Sequence, residues 1–430
     1  MPNALAVTCG ATAISLSSDG CILSRYVPAG GPNGATGEAV EFCIIGGTGA
    51  AAKNKLNAIE RLLEQAIERA SENRDERAYL RFQAIGDDTA WRSEITAYQV
   101  LLTPSMPVQL AQGLLAVRLI LARGPWETVA ELDAGTVHTT NGDAVGGPGI
   151  GDWVGPAAPP TYSAAFGADE GDNAYNAGEW TNILGVLPTP AHLRIINESG
   201  GSITPKRVFV ANDVYARFDG AQHQLPSGSG VTWTGPSSHA TARWTLTLTD
   251  AQVSKLVAGG GVRLLAVMTS VMAGVYLRAQ LQQVAGAGTL PAWTGPEAWT
   301  ESGKLVYDLG YMQMPPGVTT FTGWRIVVSI FATTDGSANL DFLQFCPGRD
   351  LVILEGPGVA WANGAAIDWW GDERYAVVGG LHASLRGRGQ LLLQPQRPNR
   401  LMVLVEAASG VDVTVKMAMR VRYRPRRPTI

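Results

Sequence analysis

The residues that most catalytic chemistry relies on are scarce in this chain. Five histidines, His138, His192, His223, His239 and His382, are scattered over 430 residues, and no two stand at a metal-ligand step. Four cysteines, Cys9, Cys21, Cys43 and Cys346, make neither a CxxC pair nor a zinc spacing with histidine. They read as buried, reduced thiols of a protein made in the cytoplasm. No GxSxG is present, and no cysteine sits near a histidine in a nucleophile setting. Charged residues make up only 16% of the chain and the formal net charge is −4, which removes any global electrostatic case for nucleic acid as a specific partner. The longest apolar stretch, "GVRLLAVMTSVMAGVYL" from Gly261, carries an arginine and alternates as strands do, so no membrane span is expected. "MPNALAVTCGATAIS" has no basic leading region or long apolar core, so export by the general route is not expected either.

What is present is apolar and strand-like. Hydrophobic residues reach 46%, enough for large cores, and 51 Gly and 25 Pro are spread out as tight turns between short strands require. "NKLNAIERLLEQAIERA", Asn54 to Ala70, is a clean amphipathic helix, with Leu56, Ile59, Leu62, Leu63, Ala66, Ile67 and Ala70 on one face. Around it lie the strand candidates "ALAVTC", "CILSRYV", "AVEFCII", "AYLRFQAIGDD", "RSEITAYQVLL" and "LLAVRLILARGPWE". Residues 1–135 therefore read as an α+β unit, one helix laid on an antiparallel sheet. Residues 136–160, "VHTTNGDAVGGPGIGDWVGPAAPP" and its flanks, are Gly/Pro-rich and read as a linker. From 161 to 430 strands arrive steadily, interrupted only by one helical turn at "TDAQVSKLV", where Thr249 stands at the cap position. The expected fold class is mainly β: an N-terminal α+β domain followed by a large jelly-roll-like β-sandwich.

Each motif carries two readings. Gly47-x-Gly49-x-x-Ala52 follows a strand and opens the helix, as a dinucleotide loop does, but no carboxylate stands at the end of a second parallel strand, so a plain glycine turn is favoured and no cofactor is expected. "GADEGDN" (Asp169, Glu170, Asp172) offers oxygen ligands for a structural calcium without the ordered spacing of a calcium hand. With "DWWGDE" (Asp368, Asp372, Glu373) it also supplies carboxylates that a glycosidase would need. Trp361, Trp369 and Trp370, in "VAWANGAAIDWWGDERY", are candidates for stacking on sugar rings or filling a partner's pocket, together with Asp368 and Asp372. Against that stands the core: adjacent tryptophans on a strand point to opposite faces. The ending "VKMAMRVRYRPRRPTI" alternates Val415, Met417, Met419, Val421 and Tyr423 with basic residues, a strand whose charged face meets solvent or an acidic protein surface.

In their order, "NKLNAIERLLEQAIERA", "YLRFQAIGDDTAWRSEI" and "LAVRLILARGPWE" resemble the N-terminal domain of tail-tip proteins of long-tailed bacteriophages. "LPTPAHLRIINESGGSITPKRVFVAN", "KLVYDLGYMQMPPG", "LDFLQFCPGRDLVIL" and "RVRYRPR" resemble the carbohydrate-module-like sandwiches that such proteins carry outward. The resemblance implies a distal tail or baseplate protein of the virion, made in the host cytoplasm. It would build sixfold or threefold rings with copies of itself and other tail proteins, and its sandwich would reach host-surface glycans. No catalytic, cofactor or metal residue is carried over. Two rival classes stay open: a lectin or adhesin, which predicts a secretion signal and disulfides, and a polysaccharide-degrading enzyme, which predicts turnover dependent on Asp368 or Asp372.

Overall fold

A computed structural model describes residues 4–27, 38–69, 74, 77–102, 105–144, 151–154, 177–180, 182–198, 200–212, 216–219, 230–233, 240–259, 261–285, 288–320, 322–332, 335–347, 351–355, 359–386, 390–397, 399–407 and 417–428. The fold is mainly β, as expected. Its first unit contains β1 (Ala4–Cys9), β2 (Thr12–Ser15), β3 (Cys21–Val27), β4 (Glu38–Ile45), α1 (Gly49–Arg69), β5 (Ala78–Gln83), β6 (Trp91–Leu102), α2 (Met106–Ala111) and β7 (Leu114–Thr128). The strands run in the order β2-β1-β5-β6-β7-β4-β3, every pairing antiparallel. Helix α1 lies on this sheet because its apolar stripe repeats at three and four residues: Ala52, Leu56, Ile59, Leu62, Leu63 and Ala66 are buried. Opposite them, Leu115, Val117, Leu119 and Leu121 of β7 alternate inward at the two-residue period. Each Leu or Ile so buried contributes about 1.5–3 kcal/mol.

The glycine turn before α1 is packed rather than open. A Cβ on Gly46 would stand 2.3 Å from the Ala52 nitrogen, and one on Gly113, whose φ is +70°, would stand 2.7 Å from the Gly47 carbonyl carbon. Gly113 accepts the Gly46 N–H at 2.8 Å, so these glycines let the α2–β7 turn seat against the start of α1. A Cβ on Gly49 would stand 2.4 Å from the Leu110 carbonyl oxygen, whereas one on Gly47, whose φ is +70°, would meet nothing within 4 Å.

The chain then enters a second, eleven-stranded antiparallel sheet through β8 (Leu132–Ala144), β9 (Gly151–Val154), β10 (Ala177–Trp180), β12 (His192–Asn197) and β13 (Pro205–Ala211). β11 (Thr189–Pro190) pairs separately with β28 (Leu392–Leu393). Here the structure corrects the expected linker. Within 136–160, β8 pairs with the penultimate strand through Thr136, Val137 and His138, and β9 pairs with β8. Glycine-rich composition masked strands whose pairing partner lies some 280 residues away.

Residues 216–347 are inserted between two strands of that sheet and form a sandwich of their own. One layer holds β14 (Ala216–Asp219), β15 (Gly230–Trp233), β17 (Val262–Val271), β21 (Val306–Met312) and β23 (Gly336–Pro347). The other holds β16 (Ala240–Thr247), β18 (Tyr276–Ala285), β19 (Gly288–Thr294), β20 (Ala298–Trp299) and β22 (Trp324–Ala332). Helix α3 (Asp250–Gly259) replaces the single turn read at "TDAQVSKLV", and the Val253 N–H bonds the Thr249 carbonyl at 3.0 Å. The chain returns through β24 (Leu351–Glu355), β25 (Ala366–Trp370), β26 (Tyr375–Val378), β27 (Leu381–Arg386), β29 (Asn399–Ala407) and β30 (Met417–Tyr423), and ends with β31 (Arg426–Arg427) paired to β7. The eleven-stranded sheet curls until Trp180 Nε1 of β10 donates to the Gly135 carbonyl of β8 at 3.3 Å.

The β-rich part therefore has a core inside the inserted sandwich, a core inside the larger sheet and a third apolar layer between the two, and the strands that face that layer are dry on both faces. On β17, Leu264, Ala266 and Met268 face the inserted core while Leu265 and Val267 face Phe209, Ala211, Met402 and Leu404 of the larger sheet. This explains why the stretch from Gly261 reads as a nearly continuous apolar run without being a membrane span. No helix among the described residues is long and apolar enough to cross a membrane. At the same seam Glu406, fully buried, accepts the N–H of Leu305 at 2.5 Å and is chelated by Arg207 at 2.5 and 2.8 Å.

Candidate functional site

The tryptophan segment divides between two environments. Trp361 is fully buried, its indole N–H donating to the Ala365 carbonyl at 2.8 Å, and its backbone bridges to Ile203. Trp369, on β25, points into the same core and donates to the Glu373 carbonyl at 3.2 Å. Neither offers a ring face to a ligand, which corrects the expectation that they bind sugar or partner. Both indoles have an apolar pocket and a satisfied N–H, the usual condition for burying tryptophan. Trp370 points to the opposite face, as strand alternation dictates. It is half-buried and stacks on His192 of the neighbouring strand, centroids 4.3 Å apart and planes 10° from parallel. The guanidinium carbons of Arg74 and Arg424 lie 4.4 and 4.9 Å from its ring centroid.

Around Trp370 the structure assembles a network of ion pairs joining three parts of the chain. Arg74, 2% exposed, chelates Asp372 at 2.7 and 2.6 Å and Glu127 of β7 at 2.7 and 2.6 Å. Glu127 also accepts from Arg92 of β6 at 2.9 Å and Arg426 of β31 at 3.2 Å. Burial alone would push the Glu127 carboxyl up, but Arg74, Arg426 and Arg92 outweigh it and the net shift is downward. Arg77 reaches Glu94 at 3.1 Å and Asp372 at 3.7 Å. Glu373 accepts the Arg74 backbone N–H at 2.9 Å, and burial raises its carboxyl.

His192 sits at the outer edge of the same network. Its Nδ1 lies 3.0 Å from Glu131 and its Nε2 2.5 Å from Asp368. Burial would lower its pKa, yet the hydrogen bonds to Asp368 and Glu131 raise it to about 9, so the ring is cationic at neutral pH. Burial pushes Asp368 up, but His192 and Arg194 hold it below the usual carboxylate range. Arg424 bonds Glu131 at 3.0 Å, and Arg420 pairs with Asp133. The acidic surface that the C-terminal arginines meet is thus the protein's own.

Of the five candidate residues, Trp370, Asp368 and Asp372 come together at this joint, while Trp361 and Trp369 go to the core. Both oxygens of Asp372 are taken by Arg74, and Asp368 is engaged by His192 and Arg194, so both carboxylates of this pair are bound within the protein itself. Asp169, Glu170 and Asp172 lie outside the described residues. Among the described residues no group of three or more His, Cys, Asp or Glu is placed to hold a metal ion. The four cysteines are thiols rather than disulfides, Cys21 and Cys346 buried and Cys9 and Cys43 partly so. Arg74, Glu127 and His192 were not singled out in the sequence. Arg74 lies in the charge run "SENRDERA", which has no apolar periodicity, and nothing local marks its partners 53 and 298 residues away.

Fold and site define a mainly-β protein of three packed units whose first and second are riveted by buried ion pairs. No protein-family model matches the chain, and no curated protein matches it. Among solved structures, the infectious bursal disease virus VP2 subviral particle is similar at 8% identity over 70% of this chain and 79% of that one, with a TM-score of 0.13. A score so low carries no argument about fold or function.

Proposed function

We propose that this chain is a non-enzymatic structural subunit of the tail tip or baseplate of a long-tailed bacteriophage or prophage. It assembles with copies of itself and with other tail proteins through the N-terminal unit, and turns its β-sandwiches outward towards host-surface glycans. The observation that carries this reading is the Arg74–Glu127–Asp372 joint: the carboxylate best placed for chemistry is spent on fixing the N-terminal sheet to the β-sandwich part. A joint of buried, multiply bonded ion pairs has little freedom to hinge, which suits a part that transmits load. Supporting it, β3 stands at an end of the first sheet with Ile22 56% and Val27 41% exposed, an edge that a neighbouring copy can extend.

Electron microscopy of the purified full chain, with light scattering for mass, tests the reading. Rings or closed oligomers are expected, and Ile22→Lys, which puts a charge on the open edge, should shift them towards monomer. A chain that stays monomeric at high concentration, and joins no tail protein, contradicts the proposal.

A further inference from the structure

The inserted sandwich carries an aromatic row on its solvent face that neither core nor joint uses. Tyr276 of β18 stands directly across from Trp299 of β20 on one side and Phe331 of β22 on the other. The Tyr276 and Phe331 rings stack at 4.7 Å and 13°, and the Trp299 ring lies 5.1 Å from Tyr276 at 52°. Leu277, Ala279 and Leu281, the alternate residues of β18, fill the core from the other side. The row therefore belongs to the outer face by strand alternation.

Along that face hydrogen-bonding groups continue in register. Arg278 lies 5.4 Å from the Tyr276 centroid and 5.0 Å from that of Phe331, and pairs with Glu297. Beyond it Gln280 donates to Thr294 at 3.4 Å and accepts from Gln282 at 2.9 Å, and Gln282, itself buried, accepts from Arg325 at 3.0 Å. Cross-strand stacking stabilises a sheet and accounts for the half-buried Tyr276 and Phe331. It does not call for an indole left 57% exposed on a two-residue edge strand.

We infer that this face, centred on Trp299, Tyr276 and Arg278, is an oligosaccharide-binding surface. The inference rests on the reading that the sandwiches meet host glycans, and names where they do so. A sugar presents an apolar C–H face and a rim of hydroxyls that both donate and accept. The aromatic row suits the face, and the adjoining guanidinium, carboxylate, amide and hydroxyl groups suit the rim. Two arginines against one glutamate leave too little positive charge for a polyanion. Glutamate is depleted from the cores of protein interfaces, and Glu297 borders the row directly through its pair with Arg278.

The test is a printed array of bacterial surface oligosaccharides probed with the full chain, followed by titration against the sugars it retains. Trp299→Ala should lose about tenfold or more in affinity with an unchanged circular dichroism spectrum. Glu297→Gln should weaken binding as well, while Tyr375→Ala, a partly exposed aromatic on β26, should leave it unchanged. Sugar binding that survives Trp299→Ala and Glu297→Gln overturns the site but not the glycan reading. Binding lost equally in all three variants also overturns the site. No retained sugar overturns both, and loss of self-association on Trp299→Ala without any sugar bound makes the face a protein contact instead.

Discussion

Replacing Arg74 by methionine removes the cation at the centre of the joint while keeping most of the side chain's length. Four hydrogen bonds of 2.6–2.7 Å disappear, two to each carboxylate. Glu127 keeps Arg92 at 2.9 Å and Arg426 at 3.2 Å, so its charge stays compensated. Asp372, only 9% exposed, keeps just Arg77 at 3.7 Å and Arg426 at 3.8 Å, both beyond direct hydrogen-bond reach. The uncompensated charge is therefore on Asp372, and removing one partner of a buried pair costs about 3–5 kcal/mol. Urea denaturation followed by tryptophan fluorescence reads this, because Trp370 lies under the lost guanidinium. Adding Asp372→Asn to Arg74→Met should return at least about 1 kcal/mol, since the stranded charge is then gone. A loss under about 1 kcal/mol for Arg74→Met, or losses that simply add in the double variant, would refute the claim that this cluster rivets the two parts together.

Further expectations follow from the same geometry. The folded-state pKa of His192 is raised to about 9 from an unfolded value near 6.5. Its contribution, about 3 kcal/mol at most, is thus complete below roughly pH 6.5 and lost as pH rises through about 9; His192→Gln should flatten the alkaline limb of a stability–pH curve. Glu127 is shifted the other way, so its contribution is present above about pH 4.3 and fades as acid approaches its folded pKa; Glu127→Gln should reduce the acid sensitivity while lowering stability at neutral pH. Trp361→Ala and Trp369→Ala should each cost about 3–5 kcal/mol in denaturation, and Trp370→Ala clearly less, since only its ring is half-exposed. Gly113→Ala, which forces a Cβ to 2.7 Å of backbone at φ +70°, should cost about 1–3 kcal/mol and lower the melting temperature.

Local pattern carried much of the fold. The three- and four-residue apolar steps of α1 and the alternation of β7 and β30 are properties of a single element, so they are legible in a linear chain. So is the opposite facing of Trp369 and Trp370. Non-local arrangement was not legible. Nothing near Leu132 announces that β8 pairs with β30, and no composition shift marks 216–347 as an insertion, because a sandwich inside a sandwich has the same residue usage as its host. The C-terminal arginines showed their alternation but not their partners, which lie on β7, on β8 and between them. Trp299, in "PAWTGPEAWTESG", hides among turn residues. Only the register that sets it beside Tyr276 makes a surface of it.

The central claim is that the chain is a building block of a tail. Antibody labelling of particles from an induced lysogen or a phage lysate, viewed by electron microscopy, tests it most directly. Label confined to one end of the tail is the predicted result. Particles that carry none of the chain, together with a purified protein that remains single and cleaves a polysaccharide, would contradict it.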